Sequence, residues 1–224
     1  MPARGKTGQL AGASRNMVNA APLWCVLVSW WLWGILYWWI GPLARVGRGR
    51  AVQATLPGAW AWLDRGLMAL IGMAGGVGGL YILGALRGWF RPAGYWLPSG
   101  LAWVLVSFFA LGLALTVWAK ATLGPNFVAC SALKVEHRLV AEGPYAWIRH
   151  PIYAGLIIMC ATTGVLSGIW LVLALGTGLA PACYGLRIWL DERLLQIGFG
   201  PTYAAYARRV PMLVPRARPA KQRR

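Results

Sequence analysis

Residues 151–186 read PIYAGLIIMCATTGVLSGIWLVLALGTGLAPACYGL, 36 consecutive positions without a formal charge. One crossing of a bilayer needs about 20 apolar residues, so this stretch predicts two membrane helices, 152–165 and 169–190, joined by a tight turn near Gly164 to Gly168. Upstream, apolar blocks predict three more helices at 22–40, 66–86 and 101–119. The first holds six tryptophans over 19 residues, too long an apolar core for a secretory signal. The expected fold is all-α: a polytopic membrane bundle of about five transmembrane helices, with a hairpin of helices four and five and a C-terminal segment beyond the membrane. Alternating strands of the kind that build a membrane barrel are absent from the sequence.

Composition agrees. Of 224 residues, 58% are hydrophobic and 12% charged, too few charges for a soluble surface. The net charge of +17 and a pI near 10.9 would suit nucleic acid, but the arginines fall between apolar blocks and at both ends, the pattern of membrane topology. No nucleic-acid partner is expected. Residues 1–21 read as a disordered basic lead, 22–99 as the first two helices with their loops, 100–216 as a functional core and 217–224 as a basic tail suited to anionic lipid headgroups. The run GMAGGVGG, 72–79, predicts close helix packing, since small residues let membrane helices approach. Cys25, Cys130, Cys160 and Cys183 have no metal-ligand or disulfide spacing and read as packing residues; no metal is expected.

With the C-terminus inside, the linkers at 43–65 and 120–150 carry four basic residues each, against Arg87 and Arg91 in the linker between them; only the basic N-terminus dissents. This arrangement brings 120–150 and the segment from Arg187 onward to one face, and every acid except Asp64 lies in those segments, as do both histidines. A polar site at the cytoplasmic mouth of the bundle is therefore expected. Gly143-Pro144-Tyr145 forms a turn, and Arg149-His150-Pro151 opens a helix with His150 as its cap, leaving backbone N–H groups for an anionic group. Arg149 offers a fork for a carboxylate. Arg187 and Asp191, four residues apart, read as a surface ion pair, while Glu192 faces about 100° away from Asp191 and toward the site. Phe199, Tyr203 and Tyr206 suit either a pocket wall or packing under the headgroups, and Gly198, Gly200 and Pro201 are expected to stop the helix.

The run LVAEGPYAWIRHPIYAG, 139–155, resembles the GPY…RHP…Y signature of the isoprenylcysteine carboxyl methyltransferases and related phospholipid methyltransferases. The run DERLLQIGFGPTYAAYARRVPMLVP, 191–215, is similar to their acidic pair, FG, spaced tyrosines and closing proline. The resemblance covers about residues 100–216. It implies S-adenosyl-L-methionine as cofactor, bound at the cytoplasmic face, and a lipophilic acceptor such as a prenylated cysteine carboxylate entering from the membrane lipids. Carried onto this chain, it implies Arg149, His150 and Glu192 as catalytic, and Gly143, Tyr145, His150, Pro151, Tyr153, Glu192 and Tyr203 as cofactor-binding. Asp191 stands where a glutamate is usual. Two other readings compete. Membrane sterol reductases using NADPH look similar at the RHP turn, the acidic pair and Arg209-Val210-Pro211, but the GPY turn and short chain favour methyl transfer. A non-enzymatic scaffold or transporter component is disfavoured by the absence of an ionisable residue at any expected helix centre.

Overall fold

The computed structural model describes residues 21–34, 52–55, 58–89, 97–124, 132–134 and 138–215, with side chains outside the two short strands. Among the described residues, five apolar helices run in chain order: α1 (Ala21–Gly34), α2 (Gly58–Leu86), α3 (Ser99–Leu123), α4 (Pro151–Leu166) and α5 (Trp170–Arg209). Of these α2, α3 and α5 are long and apolar enough to cross a membrane; α1 and α4 are shorter apolar helices. The fold is that of an integral membrane protein. Large apolar side chains face outward, Trp31 at 75% and Leu80 at 70% exposure, where lipid rather than water must receive them. The expected basic lead, the end of the first helix, the arginines at 45, 48, 50 and 91, Cys130, the acid and histidine at 136 and 137, and the basic tail lie outside the described residues.

Two short strands were not expected. β1 (Val52–Thr55) pairs antiparallel with β2 (Ala132–Lys134). They come from the two basic linkers, which their pairing brings together.

The 151–186 stretch folds as read, with the turn slightly later. Ser167 Oγ accepts a hydrogen bond from the Ile169 N–H at 3.1 Å, and Gly168 takes the left-handed φ of 66° that the reversal needs. In α5, residues Leu175–Leu179 form a π-turn. Pro181 explains it: proline has no N–H and its ring clashes with the carbonyl four residues back, so the helix widens one turn before it. The helix stops within Gly198 to Pro201, as expected. It breaks at Gly200 (φ 48°, ψ −123°) and restarts at once with Pro201 in the first position, where proline fits. The run before the break, 170–199, is about 45 Å of helix, so its apolar part up to residue 190 is long enough to cross the hydrocarbon layer.

The chain forms two compact units. In the first (1–49, 73–110 and 159–180), Trp30 Nε1 donates to Thr163 Oγ1 at 2.9 Å and its ring meets Phe109 edge-on. The closest approach there is between α4 and α5. A Cβ on Gly176 would sit 2.4 Å from the Cys160 carbonyl oxygen and 3.1 Å from Gly164 Cα. The glycines at 72–79 do not have this role: apart from Gly78, whose Cβ would make ordinary contact with Val172 and Leu175, a Cβ on any of them meets nothing within 4 Å among the described residues.

In the second unit (50–72, 111–158 and 181–224), the tight contact is between α3 and α4, where a Cβ on Gly155 would sit 2.5 Å from the Gly112 carbonyl oxygen. Helix α2 starts at Gly58, eight residues before the expected Gly66, so Asp64 is inside an apolar helix and 3% exposed rather than in a linker. The charges at Asp64 and Arg65 had marked the boundary. Asp64 is tolerated because Arg187 Nη2 lies 3.3 Å from its Oδ1. Nearby, Arg193 stacks over Trp189 at 3.9 Å from the ring centroid, beside Trp60.

Candidate active site

Every side chain of the candidate site belongs to the second unit. Its first part is a 3-10 turn, Gly143–Ala146, running into Arg149-His150 and α4. Gly143 has a φ of 56°, and a Cβ there would press on Thr122 Oγ1 at 3.0 Å. Gly143→Ala is therefore expected to cost roughly 1–2 kcal/mol from the left-handed backbone alone, read as a lower melting temperature of the purified chain. His150 is the helix cap: its carbonyl accepts from the Ala154 N–H at 3.0 Å.

Two of the backbone N–H groups at this helix start, those of Arg149 and His150, are occupied. Arg149 N–H donates to Pro211 O at 2.9 Å and His150 N–H to Met212 O at 3.1 Å. The C-terminal segment thus lies along the RHP turn as a strap. Tyr206 Oη fastens the same strap by donating to the Tyr145 carbonyl at 2.7 Å. With Tyr203 and Val210 it forms a small apolar cluster against which Phe199 packs. Burial pushes the Tyr206 phenol up to about 12, the nearby positive charge of Arg149 notwithstanding.

Glu192 joins the two motifs. Its Oε1 takes His150 Nε2 at 2.7 Å, Tyr203 Oη at 2.7 Å and, as an ion pair outside hydrogen-bond geometry, Arg149 Nε at 3.1 Å. The ring nitrogen facing a carboxylate oxygen carries the proton. Burial alone would raise the Glu192 carboxyl, but hydrogen bonds from His150 and Tyr203, with the charges of His150 and Arg149, reverse this and hold it below the ordinary carboxylate value. The sign follows: stability from the ionised carboxylate is fully present above the unfolded value of 4.5 and is lost as pH falls through the lower folded one. The melting-temperature gap between wild type and Glu192→Gln is expected to stay constant from neutral pH down to about pH 5 and to close below the ordinary carboxylate range.

Arg149, the fork suited to a carboxylate, is engaged within the protein by two of its nitrogens. Its Nη1 donates to the Ala207 carbonyl at 3.0 Å while Nε faces Glu192, so it clamps the strap. Arg187 and Asp191 are not a surface pair. Arg187 is 3% exposed and reaches Asp64, and Tyr153 Oη stands next to both, accepting from Arg187 Nε at 3.2 Å and donating to Asp191 Oδ2 at 2.6 Å. Asp191 therefore reaches Tyr153 despite its short side chain. Gly143, Arg149, Tyr153, Asp191 and Glu192 keep partial exposure, whereas Tyr145, His150, Pro151 and Tyr203 are covered by protein and stand behind them.

The sequence reading missed Asp64, Arg187 as a buried group, and the Pro211–Met212 backbone. Asp64 carried a signal: it is the one acid set apart from the rest, in an apolar flank.

This geometry ties a GPY–RHP turn to an acidic pair across a helical hairpin, and comparison with known proteins meets it there. Residues 104–197 match the isoprenylcysteine carboxyl methyltransferase family. A protein-S-isoprenylcysteine O-methyltransferase of Schizosaccharomyces pombe is 31% identical over 112 residues, covering 49% of this chain and 48% of the relative. Methanethiol S-methyltransferase 2 of Bradyrhizobium diazoefficiens is 30% identical over 135 residues, 56% of this chain and 51% of the relative. The solved structure of a eukaryotic intramembrane Ras methyltransferase, an isoprenylcysteine carboxyl methyltransferase, superposes with a TM-score of 0.52 at 23% identity, over 66% of this chain and 52% of that one, and so shares the fold. The chain spans about half the length of the curated relatives it matches. The match to the isoprenylcysteine carboxyl methyltransferase family takes in Gly143, the RHP turn and the acidic pair; Tyr203 and the Pro211–Met212 strap lie beyond it.

Proposed function

We propose that the chain is an S-adenosylmethionine-dependent membrane methyltransferase acting on a lipophilic acceptor, with a prenylated cysteine carboxylate as the leading substrate class and the site facing the cytoplasm. The observation that carries the reading is the single oxygen of Glu192 gathering His150, Tyr203 and Arg149, because it assembles both halves of the family pattern at one point. The donor set fits the cofactor: carboxylates of Asp191 and Glu192 for hydroxyl or ammonium groups, the partly exposed Gly143 and Tyr153 as a lining, and Tyr145, His150, Pro151 and Tyr203 as covered support. When bound, the cofactor supplies a methyl group activated on a positively charged sulfur.

The chain's own contribution is position and exclusion of water. Glu192 and Arg149 lock the RHP turn to the strap, and Tyr206 closes it, so the groups facing the ligand sit on fixed elements. An acceptor carboxylate is ionised at neutral pH and needs no general base. Glu192 Oε1, already facing two hydrogen-bond donors and a guanidinium, acts as an organiser of the site rather than as a base.

The acceptor class is testable with membranes containing the chain and methyl-labelled S-adenosylmethionine. A carboxylate acceptor gives lipid-extractable label that mild base releases as volatile methanol. Label that stays bound after base, or leaves as a volatile thioether, would overturn the carboxylate assignment.

A further inference from the structure

A second line of buried polar groups stands beside the Glu192 cluster. Asp64 and Arg187 side chains are each 4% exposed, with Nη2 and Oδ1 3.3 Å apart. Arg187 Nε donates to Tyr153 Oη at 3.2 Å, and that hydroxyl donates to Asp191 Oδ2 at 2.6 Å. Asp64 lies on α2, outside the residues 104–197 that carry the family pattern.

We propose that Asp64 is a positioning residue for the site, acting through Arg187 to fix the Tyr153 hydroxyl against Asp191. The inference rests on the reading that this site takes S-adenosylmethionine. Stability alone does not account for the pair, since apolar side chains of the same volume hold a buried contact at least as well as two charges do. What the pair adds is direction. A guanidinium only donates, so the Tyr153 oxygen must accept from it, and the single phenolic proton is then aimed at Asp191. Asp64 holds the other end of the guanidinium. Without it, Arg187, a guanidinium that stays charged, faces Asp191 across the Tyr153 hydroxyl, and turning toward that carboxylate displaces the hydroxyl from between them. Tyr153 is the partly exposed member of this line on α4, at the start of the helix that His150 caps. The link thus runs from α2 to the ligand-facing surface.

The test uses the full chain in lipid nanodiscs and calorimetric titration with S-adenosylhomocysteine, which reads the site without needing an acceptor. Asp64→Asn is expected to bind about tenfold more weakly, the size of an ordinary coupling between contacting groups, and Asp64→Glu to recover part of that loss. In a Tyr153→Phe background, where the hydroxyl is gone, Asp64→Asn is expected to add no further loss. Wild-type affinity in Asp64→Asn, or an equal loss in both backgrounds, overturns the proposal, because a purely structural role would weaken both alike. Should Asp64→Asn fail to fold, the paired Asp64→Leu, Arg187→Met variant removes both charges together. It is expected to keep its melting temperature and still bind about tenfold more weakly; wild-type binding by that variant overturns the proposal. If the wild type itself does not bind S-adenosylhomocysteine, the methyl-donor reading falls and the Asp64 assignment falls with it.

Discussion

Glu192→Ala is expected to lower the unfolding free energy by about 3 kcal/mol, the scale of breaking a buried charged contact from one side, and to reduce methyl transfer by about 100-fold through misplacement of the groups it holds. The two effects have one cause. Removing the carboxylate leaves His150 Nε2, Tyr203 Oη and Arg149 Nε facing a void, and Arg149 is also the residue that pins the Ala207 carbonyl of the strap. Glu192→Gln keeps the shape and an acceptor oxygen but loses the charge, so it is expected to fall between wild type and alanine in both readouts. Thermal unfolding of the purified variants and turnover of labelled donor check the pair. An alanine variant with wild-type melting and wild-type turnover would mean that Oε1 organises nothing.

Gly155→Ala is expected to have the next largest effect. The added methyl would stand 2.5 Å from the Gly112 carbonyl oxygen and 2.6 Å from Thr116 Cγ2, and the first of these is backbone, which cannot rotate away. Helices α3 and α4 must separate locally, an overpacking that costs about 1–3 kcal/mol. Because Gly155 is two residues from Tyr153, turnover is expected to fall with stability. The control is Gly75→Ala in α2. Its Cβ meets nothing within 4 Å among the described residues, so a helical alanine there is expected to cause no loss. Equal melting temperatures for the two variants would contradict the α3–α4 contact.

The contrast between those glycines shows where sequence reading ran out. A cluster such as GMAGGVGG announces small residues, but only the partner helix decides whether a small residue is needed, and the tight approaches fall instead at isolated Gly155, Gly164 and Gly176. The hairpin was legible because 36 uncharged residues leave the chain no other arrangement in a bilayer. The meeting of His150 with Glu192 followed from it. Asp64 was misplaced because a charge marks a membrane boundary unless it has a partner, and the partner, Arg187, is distant in sequence. The bond from Arg149 to the Ala207 carbonyl was not legible, because its acceptor is a backbone atom, which leaves no trace in residue identity. The strap likewise acts through the carbonyls of Pro211 and Met212.

The central claim is that the Glu192-centred site transfers a methyl group from S-adenosylmethionine to a lipid-soluble acceptor. The direct measurement follows tritium from the donor's methyl group into the organic extract of membranes that contain the chain, with Glu192→Ala membranes and an NADPH oxidation assay run in parallel. Label entering the extract from wild-type membranes, reduced about 100-fold by Glu192→Ala, is the predicted result. NADPH oxidation without transfer of label would contradict the claim.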